Sequence, residues 1–258
     1  MDAAEVPVSD QAAKPAGNQA RRNRFVIVLA AATVLIIVAS AAAVMAARVH
    51  QRDSAVGQRP WGIPASIPDQ TINLMGLAPV PARPAPVFTL TDQDGRAVPL
   101  SGLRGKVVVL EFMDPHCTDI CPLVSQEFVD AYHDLGRAAP DVVFAAVNVN
   151  QYYNRVPDVL AYSRAHQLIT IPGWHFLTGT AVALQAVWRA YHVEVQAPDP
   201  DADIVHTSAV YFIGPGGTER YVADPMVDHT SSGTAYLPAG QITAWGRDIA
   251  LVAKTLIP

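Results

Sequence analysis

Cysteine is almost missing: this 258-residue chain has 2, Cys117 and Cys121, four positions apart. A disulfide-stapled scaffold would scatter more cysteines along its length. A bridge across so short a loop would restrain the unfolded chain little. The pair is therefore read as chemical rather than structural, with redox exchange and metal binding both open. Charge is scarce as well. Asp, Glu, Lys and Arg make up 16% of the residues, against about a quarter in an ordinary soluble domain. The net charge is -5, which leaves no basic footprint for nucleic acid, so no nucleic-acid partner is expected. There is no internal repeat.

What the chain does have is one long apolar block. Phe25 to Ala47 carries no charged residue in 23 positions, enough at ~1.5 Å per residue to cross a ~30 Å hydrocarbon core. Arg21, Arg22 and Arg24 stand directly before it, while Arg48, Arg52 and Arg59 follow more loosely. This asymmetry keeps the N-terminus inside and places the C-terminal portion in the periplasm or an equivalent extracytoplasmic space. A cleaved signal peptide is the alternative, but the run exceeds the ~7–15 residues of a signal-peptide core. The expected organisation is a disordered cytoplasmic arm over 1–24 and a single transmembrane anchor over 25–47 in the cytoplasmic membrane. A Pro-rich spacer follows over 48–84, then one folded domain over 85–258.

Within that domain, Val87–Leu90 and Val98–Leu100 flank the Asp94-Gly95 turn and predict a hairpin. Val107–Phe112 and Val142–Val149 read as buried parallel strands. Between them, Pro122–Leu135 shows one apolar helical face and stops at Gly136. A helix with Pro157 in its first turn follows, then a strand over Trp174–Leu177 and a helix over Ala181–Tyr191. Ser208–Ile213 and Glu219–Val222 form a second hairpin around Gly214–Gly217, and Gln241–Leu256 is an amphipathic helix. Strands alternating with helices, closed by a hairpin and a helix, match a thioredoxin-like three-layer α/β/α domain with an added N-terminal β-hairpin.

The cysteines fall just after the first buried strand and at the start of a helix. Pro122 favours a first helical position, which puts Cys121 at or near the N-cap. Unpaired N–H groups and the helix dipole there favour a thiolate. A dithiol oxidoreductase of this fold commonly uses C-x-x-C, whereas here three residues intervene. Two thiolates on the wider turn can converge on one metal, with Cu(I) the soft ion they select and zinc the other common guest. Of the 8 histidines, His206 is the best third ligand, since it precedes the strand over Ser208–Ile213 where this fold faces its cysteine turn. His116 is expected to point away from the ligand face. His133, His166, His175 and His192 read as solvated or structural, His229 equally as a surface group or one near the site, Asp114 and Asp119 as attracting cations or capping turns, and Met226 by default as a filler of packing gaps, with a transient thioether contact to copper as the alternative.

Phe112–Pro122 (FMDPHCTDICP), Val205–Ile213 (VHTSAVYFI), Phe88-x-Leu90-x-Asp92-x-x-Gly95 and Leu103-x-Gly105-Lys106 together resemble the Sco (SenC) family over roughly residues 84–258. Thr118 stands where the family often has proline, and Val205 where it often has aspartate. The resemblance implies a copper-binding metallochaperone with Cys117, Cys121 and His206 as ligands for Cu(I) or Cu(II). It also implies a partner, the copper-site subunit of cytochrome c oxidase or another extracytoplasmic cuproprotein, and a dithiol reductase role towards that site. A membrane-tethered thiol–disulfide oxidoreductase, with Cys117 attacking and Cys121 resolving, is the alternative. A peroxidase of the peroxiredoxin kind is disfavoured by Asp114, which stands where threonine usually precedes the nucleophile.

Overall fold

The computed structural model describes residues 59–225, 228–230 and 235–258. The expected arm, the expected transmembrane anchor over 25–47 and Met226 lie outside them. Among the described residues, no helix is long and apolar enough to cross a membrane.

Two β-branched, strongly apolar runs form the centre. β4 (Val107–Met113) and β5 (Val142–Asn148) pair in parallel along their full length, from Val107 opposite Val142 to Met113 opposite Asn148. Every residue of both strands is buried, as expected of a parallel pair covered on both faces. The sheet has six strands. β6 (His175–Leu177) joins in parallel beside β5. On the other side β9 (Val210–Ile213) runs antiparallel to β4, β10 (Glu219–Ala223) antiparallel to β9, and β1 (Ala78–Pro79) antiparallel to β10 at the edge.

Side chains alternate along β4. Val107, Val109 and Met113 enter one core beneath α2 (Ile120–Leu135) and α5 (Ala239–Lys254). Val108, Leu110 and Phe112 enter the other, covered by α4 (Ala181–Ala190) and the hairpin of β2 (Thr89–Thr91) with β3 (Ala97–Pro99). α3 (Val156–Ala165) adds Val159 and Tyr162 to the first core. This is the expected thioredoxin-like arrangement of a sheet between helical layers, with its N-terminal hairpin in place. The hairpin is tied to β6 by Thr91, which exchanges backbone hydrogen bonds with Thr178 at 2.8 and 2.7 Å, and by His175 Nδ1, 3.2 Å from the buried Asp92 carboxylate.

The expected spacer departs from this description over its second half. Residues 59–84 belong to the same compact unit as the rest of the domain. α1 (Asp69–Met75) and its flanks bury Ile63, Ile67, Ile72, Met75 and Leu77 in the α2–α5 core. Prolines at 60, 64, 68 and 79 suggested a loose tether. Apolar residues two to five positions apart between them bind the segment down instead.

Two acids are folded into the same core. Glu111, midway along β4, and Glu127, on α2, are 2% and 1% exposed. One carboxylate oxygen of each has no hydrogen-bond partner. Burial pushes the Glu111 carboxyl well above its ordinary range, with the charges of Glu127 and Asp224 adding to the effect. Burial, with a contribution from Asp130, pushes Glu127 up to about 8. A neutral carboxylic acid is the form that tolerates such a site at pH 7.

Two predictions follow from the α2 packing. Gly246 lies where α5 crosses α2, and an added Cβ would stand 2.6 Å from Asp130 Cβ and 3.0 Å from the Glu127 carbonyl oxygen. Gly246→Ala should therefore cost about 1–3 kcal/mol by denaturant titration, as overpacking does. Glu127 binds a proton in the folded protein up to about pH 8 but in the unfolded chain only up to its ordinary 4.5. Stability should therefore fall as pH rises through that window. Glu127→Gln should flatten the slope in melting curves taken between pH 5 and 9; an unchanged slope would place the titrating group elsewhere.

Candidate metal centre

The site sits where β4 and β5 end side by side, the carboxyl edge at which open α/β sheets place their ligands. Past Met113 the chain turns sharply. Asp114 Oδ1 accepts hydrogen bonds from the His116 N–H at 2.8 Å and from Asn150 Nδ2 at 2.9 Å. The Cys117 N–H donates to the Asp114 carbonyl at 3.1 Å. Asn150 Oδ1 in turn accepts from the Tyr152 and Tyr153 N–H groups. Asn148 Oδ1 accepts from the Asn150 N–H at 2.7 Å, and its amide donates to the Tyr153 carbonyl and to Thr178 Oγ1. The two loops are thus locked together by short polar side chains, and Cys117 hangs from that lock.

α2 begins at Ile120 with Asp119 as its N-cap. Cys121 is therefore the second helical residue and Pro122 the third, each two positions further in than expected. The Cys121 N–H still points out of the helix end, donating to Cys117 Sγ at 3.4 Å. The two residues are free thiols, and they are unlike. Cys117 is half-buried, whereas Cys121 is 4% exposed and packs in the core. Hydrogen bonding from the Cys121 thiol, with help from the Cys121 and Asp119 N–H groups and against burial, lowers Cys117 to about 6. Donating that bond, together with burial, raises Cys121 well above 9.0. Near neutral pH the pair is one thiolate and one thiol. Behind it, Ser125 Oγ donates to the Cys121 carbonyl at 2.8 Å and lies 3.1 Å from Tyr162 Oη, tying α2 to α3.

His206 is on a short ribbon rather than in a loop. β7 (Val195–Gln196) and β8 (Val205–His206) pair antiparallel, with His206 opposite Val195. Tyr152 Oη anchors the ribbon by donating to the Ala197 carbonyl at 3.0 Å. His206 Nδ1 is 3.0 Å from the Thr207 carbonyl. A carbonyl can only accept, so Nδ1 carries the proton and the Nε2 lone pair is left for a ligand. Burial lowers the basicity of this imidazole, which keeps it neutral at pH 7.

Cys117 and His206 line one cavity of about 800 Å³, together with Asp114, His116, Asn150 and Tyr153. The structure thus brings two of the expected ligands to a common space, with Cys121 behind Cys117. Among the described residues, no three His, Cys, Asp or Glu side chains stand close enough to hold a metal ion. His116 does not point away from the cavity: it lines the wall and stacks on Tyr153, ring centroids 3.6 Å apart and planes 21° from parallel. Of the remaining histidines, His175 pairs with Asp92, and His166 caps α3 against the Tyr162 ring. Sequence reasoning missed Tyr153 and the Thr207 carbonyl: the first acts across loops and the second through the backbone, and no spacing rule signals either.

A family model described as SCO1/SenC matches residues 79–234. The chain is 28% identical over 132 residues to the SCO1 protein homolog of Bacillus subtilis, covering 50% of this chain and 68% of that one. It is 29% identical over 136 residues to the mitochondrial SCO2 homolog of Bos taurus, covering 50% of each. Among solved structures, that of Bradyrhizobium japonicum ScoI with copper bound superposes with a TM-score of 0.52 at 23% identity, covering 67% of this chain and 99% of that one.

The unequal thiols give a reactivity prediction. Alkylation of the reduced protein by iodoacetamide should modify Cys117 first, with a rate that rises through about pH 6 as its thiolate forms. Mass mapping should find Cys121 protected in the folded state. A rate that rises only near the ordinary 9.0 would refute the hydrogen-bonded thiolate.

Proposed function

The chain belongs to the SCO1/SenC family, and on that premise we propose that it is a copper carrier with Cys117, Cys121 and His206 as its ligands. One observation carries the reading: Cys117 and His206 line the same cavity, and the Cys121 N–H is hydrogen-bonded to Cys117 Sγ. Two sulfurs and an imidazole suit copper in its usual biological oxidation states. The copper held by Bradyrhizobium ScoI supports the same cargo here. Binding releases the remaining thiol proton and draws the His206 ribbon onto the dithiol, completing a set that the described residues leave open.

The partner in this reading is the copper-site subunit of cytochrome c oxidase or another extracytoplasmic cuproprotein. The apolar block over 25–47 anchors the carrier in the cytoplasmic membrane, with the copper domain outside. A dithiol reductase role also has specific support. A half-exposed, low-pKa Cys117 in front of a buried, high-pKa Cys121 is the asymmetry that an attacking and a resolving thiol need. The roles are compatible, because the pair must be reduced before it takes metal.

Anaerobic Cu(I) competition against a chelator tests the carrier. The reduced chain should retain one copper. Cys117→Ala, Cys121→Ala and His206→Ala should each weaken retention by at least about tenfold, as loss of a ligand does. Copper held equally well by His206→Ala would remove the histidine from the site and shift the reading to thiol–disulfide exchange.

A further inference from the structure

Around the cavity the donors are graded by access. Cys121 is 4% exposed, Cys117 and His206 are half-buried, and His116 is exposed. A metal ion arriving from a partner therefore cannot meet Cys121 first. The exposed imidazole is held in place. Its ring stacks on Tyr153 at 3.6 Å, and both residues line the cavity that contains Cys117 and His206. The backbone beneath each ring is fixed as well, through Asp114 for His116 and through Asn148 and Asn150 for Tyr153. An exposed side chain left to itself samples several rotamers, and ordering one of them costs free energy. Here two loops cooperate to hold the ring on the cavity wall. The wall also carries Asp114, Asp119, Asp201 and Asp203 and no lysine or arginine, so its field favours a cation.

We propose that His116, positioned by Tyr153, is the transfer ligand through which copper passes between a partner and the Cys117–Cys121–His206 site. This rests on the copper reading above. The step is ligand exchange. A bond from the His116 lone pair to Cu(I) forms as a donor-side bond breaks, then gives way to bonds from Cys117 and the inner ligands. No electron moves in the exchange, and each bond made to copper replaces one that breaks. His116 is vacated once copper is seated, so it governs the rate of exchange and not the final affinity. Tyr153 acts only by holding the ring, a positioning residue whose hydroxyl is dispensable.

The test compares rate with equilibrium in the reduced full chain. Copper is removed by excess bathocuproine disulfonate under stopped flow, and affinity is measured separately by competition. His116→Ala should keep one copper with near-unchanged affinity while removal slows about tenfold, the cost of a modest rise in barrier. Tyr153→Ala should slow removal in the same direction, and Tyr153→Phe, which keeps the ring stack, should restore the wild-type rate. Wild-type kinetics in His116→Ala overturn the inference. So does loss of copper in that variant, which would make His116 a permanent ligand. A wild-type chain that holds no copper fails at the earlier step and removes the copper reading itself, an outcome distinct from either.

Discussion

The unbroken parallel pairing of β4 with β5 is the constraint on which the rest depends. Because Met113 lies opposite Asn148, the loops that leave the two strands start side by side. Asp114 can then reach Asn150, and the turn carrying Cys117 is held by a partner 36 residues away in sequence. A one-residue slip in this register would exchange the two faces of β4. Val109 and Phe112 would trade cores, Glu111 would leave its site among α2 and α5, and the Asp114–Asn150 bond would be lost. The chemistry at the strand ends is thus fixed by hydrophobic packing along the strands.

Much of this was legible in the sequence because period and punctuation spoke together. The β-branched runs at 107–112 and 142–149, Gly136 ending a helix and the Gly214–Gly217 turn each marked an element that formed within a few residues of its expected place. What was not legible came from long-range contact. Pro60 to Pro84 read as a tether by composition, yet its spaced isoleucines found a core that no local pattern reveals. Glu111 falls inside an otherwise apolar run, and only the folded protein shows it enclosed beside Glu127. At the site, Cys117, Cys121 and His206 could be picked out by residue type and spacing. The ribbon that carries His206, and the Tyr153 ring that turns His116 into the cavity, depend on three loops meeting at one edge.

The dithiol illustrates how one hydrogen bond can divide identical groups. Burial alone would raise both thiols. The bond between them lets Cys117 hold charge at the cost of Cys121, and the N–H groups at the start of α2 reinforce that choice. The outer sulfur is ready to bind a metal or attack a disulfide, while the inner one stays protonated until a second bond is to be made. Helix position, depth and hydrogen bonding all push the pair in the same direction.

The borders of the central sheet have a consequence for the protein in a crowded compartment. At one border stands β1, two residues long and ending in Pro79, with Pro81 and Pro84 close behind. Proline offers no N–H to a newcomer, so this rim cannot be extended strand by strand. At the other border, β6 is three residues long, and the Thr91–Thr178 bridge ties its end to the first hairpin. A sheet built around two fully buried, valine-rich strands would be a ready template for self-association if its rims were open. With both rims blunted, a protein whose task requires an accessible metal-binding end can expose that end to a partner while denying its sheet to copies of itself.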